Sequence, residues 1–137
     1  MKLTSDEIFF ISTLHKISSV HAKDCLITEE VVSFLVKKED VGKAIGKNAS
    51  NIKELSQKTK KRIEILEYNS SPVSFLKKSL YKIKPKEISE EEEEGKKKIF
   101  VSLDSENKKK MLSNLGRLRR IKELAKRNYK VDDIKIR

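Results

Sequence analysis

The chain has 137 residues, of which 36% are hydrophobic and 39% are charged, and its formal net charge is +11. This length allows one ordinary domain or two very small ones. The charge excess favours a polyanionic partner, and nucleic acid is favoured over a membrane because no strongly apolar amphipathic segment or lipidation motif is visible. Cys25 is the only cysteine, which excludes an intrachain disulfide. The lack of a signal peptide and of a bilayer-length apolar run predicts a cytoplasmic protein.

The first half of the chain predicts a helix, two strands, two helices and a strand. It opens with a capping box, in which Thr4 is the N-cap and Glu7 lies three residues later. Two runs rich in β-branched and aromatic residues follow, close enough together to form a hairpin. The predicted elements are a helix at 3–17, strands at 24–28 and 31–37, a short helix at 39–46, a longer helix at 50–60 and a strand at 62–68.

The clearest boundary in the chain is Asn69–Pro72, where three small polar residues precede a proline. Pro72 is well placed for the first turn of a helix. The block of glutamates and lysines at 90–98 contains Gly95 and predicts a solvated hairpin tip. The predicted elements after the boundary are a helix at 72–83, strands at 83–89 and 97–103, helices at 105–116 and 117–129, and a strand at 131–136.

The two halves therefore share one order of predicted elements, which indicates an internal repeat. The tetrapeptide Ile-Lys-Glu-Leu occurs at 52–55 and again at 121–124, in the same predicted helix of each half. We infer two similar domains from this match.

The link between the two consecutive helices of the first half carries the most informative residues. Gly46 and Asn48 tolerate the unusual φ that a tight tip requires. The following helix begins at 49–51, and its first N–H groups carry the positive end of the helix dipole. Gly46–Asn51 therefore predicts a phosphate site built from backbone and short side chains. Three lysines add full charges around it: Lys43, Lys47 and Lys53.

Six stretches, in order, carry a family resemblance: "LTSDEI", "KDCLI", "VGKAIGKNASNIKEL", "KRIEILEY", "SPVSFLKKSL" and "DDIKI". On these residues the chain resembles tandem KH domains of the prokaryotic type over essentially its whole length. More narrowly, it resembles the short archaeal NusA-like transcription termination and antitermination factors. The resemblance implies an α+β fold with two KH-like domains, 1–70 and 71–137, each a small three-stranded sheet packed on helices. It also implies that the loop between the consecutive helices grips single-stranded RNA while the bases lie in an apolar groove.

The resemblance places the main RNA contact in the first domain. Ala49 stands where the family has the last glycine of its Gly-x-x-Gly loop, and alanine suits this position if the residue is already helical. Ile45 and Ile52 are candidates to line the groove, and core packing is their alternative role. The candidate RNA-binding residues of this domain are Lys43, Ile45, Gly46, Lys47, Asn48, Ala49, Ser50, Asn51 and Lys53.

The corresponding loop of the second domain is degenerate, because Leu115 and Leu118 replace both framing glycines. Three interpretations are open at this point. This half holds phosphates with guanidinium groups instead of backbone, or it has lost the clamp and serves as a structural partner, or Lys108–Asn128 is one continuous basic helix. The first interpretation makes four residues candidate RNA contacts: Gly116, Arg117, Arg119 and Arg120.

No set of residues in the sequence indicates catalysis. His15 and His21 lack the accompanying cysteines or carboxylates of a metal site, and the segment "GKAIGK" does not satisfy the nucleotide-binding loop pattern. We therefore expect a non-catalytic protein without cofactor, metal, membrane or small-molecule substrate. The expected function is binding of single-stranded RNA, the nascent transcript, in transcription elongation or termination. The alternatives are a module that docks on RNA polymerase, which is the second candidate partner, and a ribosome-assembly or translation-associated RNA-binding protein.

Overall fold

The computed structural model describes residues 3–137, which divide into two compact units at the junction of Tyr68 and Asn69. The first unit contains α1 (Ser5–Ser18), β1 (Asp24–Ile27), β2 (Val31–Lys37), α2 (Val41–Ile45), α3 (Ser50–Thr59) and β3 (Arg62–Tyr68). The second contains α4 (Pro72–Ser79), β4 (Glu87–Glu93), β5 (Lys96–Ser102), α5 (Ser105–Leu112), α6 (Leu115–Tyr129) and β6 (Asp133–Ile136). The predicted α+β architecture, with one three-stranded sheet and helices in each half, is confirmed.

The middle strand of each sheet has one antiparallel and one parallel neighbour. The strand orders are β1-β2-β3 and β4-β5-β6. In both sheets the first two strands are antiparallel and the last two are parallel. An antiparallel pair can be joined by a short turn, whereas a parallel pair needs a long crossover. In each unit the crossover consists of two consecutive helices, and it is the turn between these helices that the sequence analysis selects as a candidate site.

β2 supplies the centre of the core in the first unit. Residues 31–36 of β2 are all buried. Three of them join one residue each from α1 and α3 in a single cluster: Val32, Phe34, Val36, Leu14 and Leu55. Ile63 and Ile65 of β3 pack against the same cluster, as their alternation with charged residues predicts. Because Leu55 belongs to this cluster, α3 is held on the sheet by its apolar side while its first turn extends to the turn after α2.

Two helix starts agree with the sequence predictions. Thr4 Oγ1 accepts a hydrogen bond from the N–H of Glu7 at 3.1 Å, and the N–H of Thr4 donates to Glu7 Oε1 at 2.9 Å. This is the predicted capping box. α4 begins at Pro72, and the side chain of Ser71 accepts a hydrogen bond from the N–H of Ser74. Both starts depend on residues within a few positions of each other, which is why the sequence predicts them.

The glutamate run is mostly strand, so the prediction of a long hairpin tip at 90–98 is wrong in extent. Only Glu94 and Gly95 separate β4 from β5, and their φ values of 54° and 78° suit a two-residue hairpin turn. Opposite charges face each other across the two strands, and ion pairs join Lys97 to Glu90 at 2.9 Å and Lys98 to Glu93 at 3.3 Å. These cross-strand contacts offset the low strand propensity of glutamate. The facing pairs are Glu91 with Lys98, Glu92 with Lys97 and Glu93 with Lys96.

Other boundaries also differ from the predictions. α4 ends at Ser79, and the φ of 57° at Tyr81 is incompatible with continuing the helix. β4 starts only at Glu87, after Pro85, which has no N–H for strand pairing. α5 and α6 are separate helices with Asn114 as the N-cap of α6. The interpretation of Lys108–Asn128 as one continuous helix is therefore wrong.

Tyr129 of α6 secures the first residue of the second unit. Its hydroxyl accepts a hydrogen bond from the N–H of Asn69 at 2.9 Å and donates to the carbonyl of Asn69 at 2.8 Å. Its ring lies 5.1 Å from that of Phe75, measured between centroids. Tyr129→Phe keeps the ring contact and removes both hydrogen bonds. We expect this change to lower the free energy of unfolding by about 1–3 kcal/mol, measured by urea denaturation.

Tyr81→Phe is the matched control, because the side chain of Tyr81 is 75% exposed. This control should change the free energy of unfolding by less than about 0.5 kcal/mol. Equal losses in the two variants would contradict a specific role of the Tyr129 hydroxyl.

Candidate nucleic-acid interface

The turn between α2 and α3, called the α2–α3 tip, comprises Gly46–Ala49. Gly46, Asn48 and Ala49 have φ values of 79°, 55° and 59°. The N–H of Gly46 donates to the carbonyl of Gly42 at 2.9 Å, and the N–H of Ala49 donates to the carbonyl of Gly46 at 3.1 Å. The positive φ values at Gly46 and Asn48 are those that the sequence analysis assigned to this turn. They reverse the chain within four residues and bring the start of α3 next to the end of α2.

Gly46 is required both by its backbone conformation and by the space around it. A Cβ atom at this position would lie 2.8 Å from the Cγ of Asn51 and from the Oγ of Ser50. The Nδ2 of Asn51 donates to the carbonyl of Lys43 at 2.9 Å, which connects the first turn of α3 to α2. Asn51 thus uses its amide within the protein and positions the tip, whereas the sequence analysis assigned it to RNA contact. A larger residue at 46 would displace this connection.

Ala49 is the N-cap of α3 and is not helical, so the condition under which alanine suits this position is not met. Its φ of 59° and ψ of 27° are left-handed, a conformation that costs a residue with a Cβ about 1–2 kcal/mol. Alanine has no hydrogen-bonding side chain, so its own side chain cannot cap the first N–H groups of α3. The N–H of Ser50 donates to the carbonyl of Lys47. The N–H groups after it in the first turn carry the positive end of the helix dipole and have no side-chain cap from Ala49, an arrangement that suits an anion.

Three lysines add charge to this end of α3. Lys43, Lys47 and Lys53 are all exposed, as are Asn48 and Ser50. Full cationic charges at a helix start that has no side-chain cap favour an anionic group such as a phosphate.

The two isoleucines proposed to line a groove flank the tip. Ile45 is the last residue of α2, and Ile52 lies in the first turn of α3. Both are half-buried, so each side chain packs partly on the protein and keeps part of its apolar surface accessible.

The equivalent turn of the second unit is built differently. Asn114 caps α6 by accepting a hydrogen bond from the N–H of Arg117 at 3.2 Å. Gly116 lies inside α6 rather than in the turn. Leu118 is buried, whereas Leu115 is 42% exposed. The start of α6 is thus capped by the protein's own side chain, and leucine side chains lie where the first unit has small residues.

The three arginines of this region have different environments. The Nη2 of Arg117 donates to the carbonyl of Ser79 at 2.9 Å, and Arg120 is only 8% exposed. Arg119, by contrast, is exposed. The three arginines therefore differ in accessibility. Arg117 and Arg120 face the protein, as Leu118 does, and only Arg119 of the three faces solvent.

The charge excess is distributed unevenly along the chain. Residues 1–68 contain 12 Lys and Arg against 10 Asp and Glu, whereas residues 69–137 contain 20 against 11. Counting charges on each side of Asn69–Pro72 reveals this difference from the sequence alone. The α2–α3 tip thus belongs to the nearly neutral unit, and most of the positive charge belongs to the other unit.

Within residues 3–137, no group of three or more His, Cys, Asp or Glu side chains is arranged to hold a metal ion. In the same described range, none of the helices has the length and apolar character needed to cross a membrane.

The chain matches a family profile and is similar to two named relatives and to a solved structure. The profile described as "KH domain" matches residues 11–111. A protein of Methanocaldococcus jannaschii named "Probable transcription termination protein NusA" is 29% identical over 99% of this chain and 75% of its own length. A protein of the same name from Methanococcus vannielii is 34% identical over 56% of this chain and 44% of its own length. The crystal structure of the protein APE1850 matches 98% of this chain and all of its own, with a TM-score of 0.86 and 28% identity.

Ala49→Gly tests the strained start of α3. Glycine adopts left-handed φ without strain, although it is also freer in the unfolded chain. We expect the free energy of unfolding to rise by about 0.5–1 kcal/mol, measured by urea denaturation. Asn48→Gly is the control and should gain less, since asparagine tolerates this conformation better than alanine. A loss of stability in Ala49→Gly would show that Ala49 is not left-handed in solution.

Proposed function

Because the chain belongs to the KH domain family and resembles archaeal NusA proteins, we propose that it binds single-stranded RNA through the α2–α3 tip. KH loops clamp the backbone of about four nucleotides. One observation supports this site above all others. Gly46 and Ala49 place no bulky side chain before α3, and the side chain of Ala49 cannot cap the N–H groups of this helix, so a phosphate can approach its positive end.

Each residue of the tip has a proposed role in holding RNA. Gly46 and Ala49 allow the sugar–phosphate backbone to approach, and Asn48 and Ser50 supply short polar side chains. The exposed parts of Ile45 and Ile52 contact bases, for which apolar surface is suitable. Asn51 holds α2 and α3 together through its bond to Lys43. Lys43, Lys47 and Lys53 attract the phosphates.

We further propose that the two units are KH-like domains, 1–70 and 71–137, with unequal contributions. The capped start of α6 and the leucines beside it support the interpretation that the second domain lacks the backbone clamp. Its excess of basic residues adds attraction for the phosphates that salt screens, with Arg119 as an exposed contact. Gly116, Arg117 and Arg120 serve mainly the structure of α6.

The proposed role is non-catalytic control of transcription elongation or termination by binding the nascent transcript in the cytoplasm. The names of the two methanogen relatives support a role in termination, and the basic charge supports a polyanionic partner. A KH groove needs unstacked bases, and a nascent transcript supplies single-stranded RNA.

Lys47→Asp combined with Asn48→Asp tests the tip directly. The change places negative charge beside the proposed phosphate, and aspartate is one of the residues that tolerate left-handed φ. We expect affinity for single-stranded RNA to fall at least roughly tenfold, or about 1.4 kcal/mol, measured by fluorescence anisotropy. The unmodified protein should bind single-stranded RNA more tightly than duplex of equal length at equal salt.

Ser12→Asp combined with Lys16→Asp on α1 is the matched control. Both residues are exposed, and the net charge changes by the same amount, so an effect of overall charge would appear in both variants. Equal losses in the two variants, or tighter binding to duplex, would remove the tip from the proposed site.

A single-round transcription assay tests the biological role. With RNA polymerase from the same organism and a template that carries a terminator, the protein should change the fraction of read-through transcripts. The Lys47→Asp, Asn48→Asp variant should have a much smaller effect, because the proposed action requires the RNA contact. An unchanged effect of this variant would favour direct docking on polymerase, and no effect of either protein would contradict a role in termination.

A further inference from the structure

The second unit contains a cavity that the proposed RNA contact does not use. It has a volume of about 380 Å³ and is lined by the connection after α4, the end of α5 and the start of α6. A volume of this size is within the range of pockets that bind small molecules or single side chains. The cavity belongs to the unit 69–137, whereas the α2–α3 tip belongs to the other unit.

The wall of the cavity is mainly aliphatic. Four lining residues are buried members of the core, namely Leu80, Met111, Leu118 and Ile121, and Ile83 adds a half-buried side chain. A nucleobase has a polar edge, and burying that edge against hydrocarbon without hydrogen bonds is costly. The wall therefore suits a bulky hydrocarbon side chain better than it suits a base.

Three cationic residues also line the cavity: Lys82, Lys110 and Arg117. Arg117 is held in place by its bond to the carbonyl of Ser79. Lys110 forms a long 3.9 Å ion pair with Glu106, and both side chains are well exposed. Such an exposed pair contributes little and is easily replaced. Among the described residues, none of those that line the cavity is acidic. The positive charge of the lining residues therefore favours an occupant that carries carboxylates.

Exposed apolar side chains accompany the cavity. Tyr81 lines it and is 75% exposed, with a φ of 57°, a rare conformation for a bulky residue. Leu112 and Leu115 are 63% and 42% exposed, and they are the chain neighbours of the lining residues Ser113 and Asn114. Exposed apolar surface beside an apolar pocket is typical of protein interaction sites.

We propose that this cavity binds an acidic segment of a partner protein by receiving one of its bulky apolar side chains. The apolar side chain fills the space bounded by Leu80, Met111 and Ile121. Carboxylates on either side of it meet Lys82 and Lys110, which are exposed. The site would allow the protein to hold RNA with one unit and a protein partner with the other.

The test uses the full chain and two probes that share this chemistry. One is 3-phenylpropionate, and the other is an acetylated eight-residue peptide with a central Phe-Leu pair flanked by aspartate and glutamate. Binding is followed by the amide resonances of the 15N-labelled protein. We expect saturable shifts that concentrate at residues 80–83 and 110–121. The uncharged 3-phenylpropanol should bind more weakly, and uridine monophosphate should leave these resonances unchanged.

Two variants alter the site from exposed positions. Ser113→Phe fills the entrance, and Lys82→Glu combined with Lys110→Glu reverses its charge; all three residues are exposed. Each variant should weaken peptide binding at least roughly tenfold, or about 1.4 kcal/mol. Lys77→Glu combined with Lys78→Glu, at two exposed positions of α4 that do not line the cavity, is the control of equal charge and should bind as the unmodified protein does.

Several results would overturn the proposal. One is the absence of saturable shifts at residues 80–83 and 110–121 with both acidic probes. Others are equal binding of 3-phenylpropanol, or peptide affinity that falls as much in the Lys77, Lys78 control as in the Lys82, Lys110 variant. Stronger shifts with uridine monophosphate than with 3-phenylpropionate would assign the cavity to a nucleotide instead. RNA affinity of the α2–α3 tip is measured separately, so failure here leaves the proposed RNA contact unaffected.

Discussion

Parallel pairing of the last two strands in each sheet is the constraint on which the rest of the structure depends. Because β2 and β3 point the same way, the chain must return along the sheet between them. It does so with two helices, and the turn between them is placed at the end of the helical layer. The same pairing of β5 with β6 places the turn between α5 and α6 in the same topological position. Each unit thus presents one exposed turn between helices whose apolar sides are fixed on a sheet.

The two turns use this shared position in opposite ways. In the first unit, Ala49 precedes α3 in left-handed backbone and provides no side-chain cap. In the second, Asn114 caps α6 and Leu118 packs inward. Strain retained at an exposed helix start, beside three lysines, is typical of a site selected for binding rather than for stability. The capped turn avoids left-handed backbone, and its Asn114 side chain occupies the helix start that Ala49 leaves without a side-chain cap.

The charge distribution adds a second division between the units. The unit with the open tip is nearly neutral, whereas the unit with the capped turn carries most of the basic excess. Basic residues attract any polyanion and act over about 10 Å at 0.1 M salt, so they increase affinity without selecting a sequence. In the proposed mechanism the second unit therefore contributes attraction, and the close contact of the first unit contributes selectivity. The apolar cavity beside α5 and α6 gives the second unit a further candidate role that its charge does not explain.

The sequence by itself determined the features that depend on neighbouring residues. The capping box of Thr4 and Glu7, the helix start at Pro72 and the need for a small residue at Gly46 all follow from local rules, as does the order of elements in the two halves. Only the tertiary structure decided that the glutamates of β4 form a strand, because that depends on lysines supplied by β5. It also decided that Arg117 and Arg120 face the protein and that Ala49 is left-handed, because packing of α6 on α4 and of α3 against α2 sets these orientations. Such contacts join residues that are distant in the chain. A helical run of basic residues does not by itself indicate which side of the helix becomes buried.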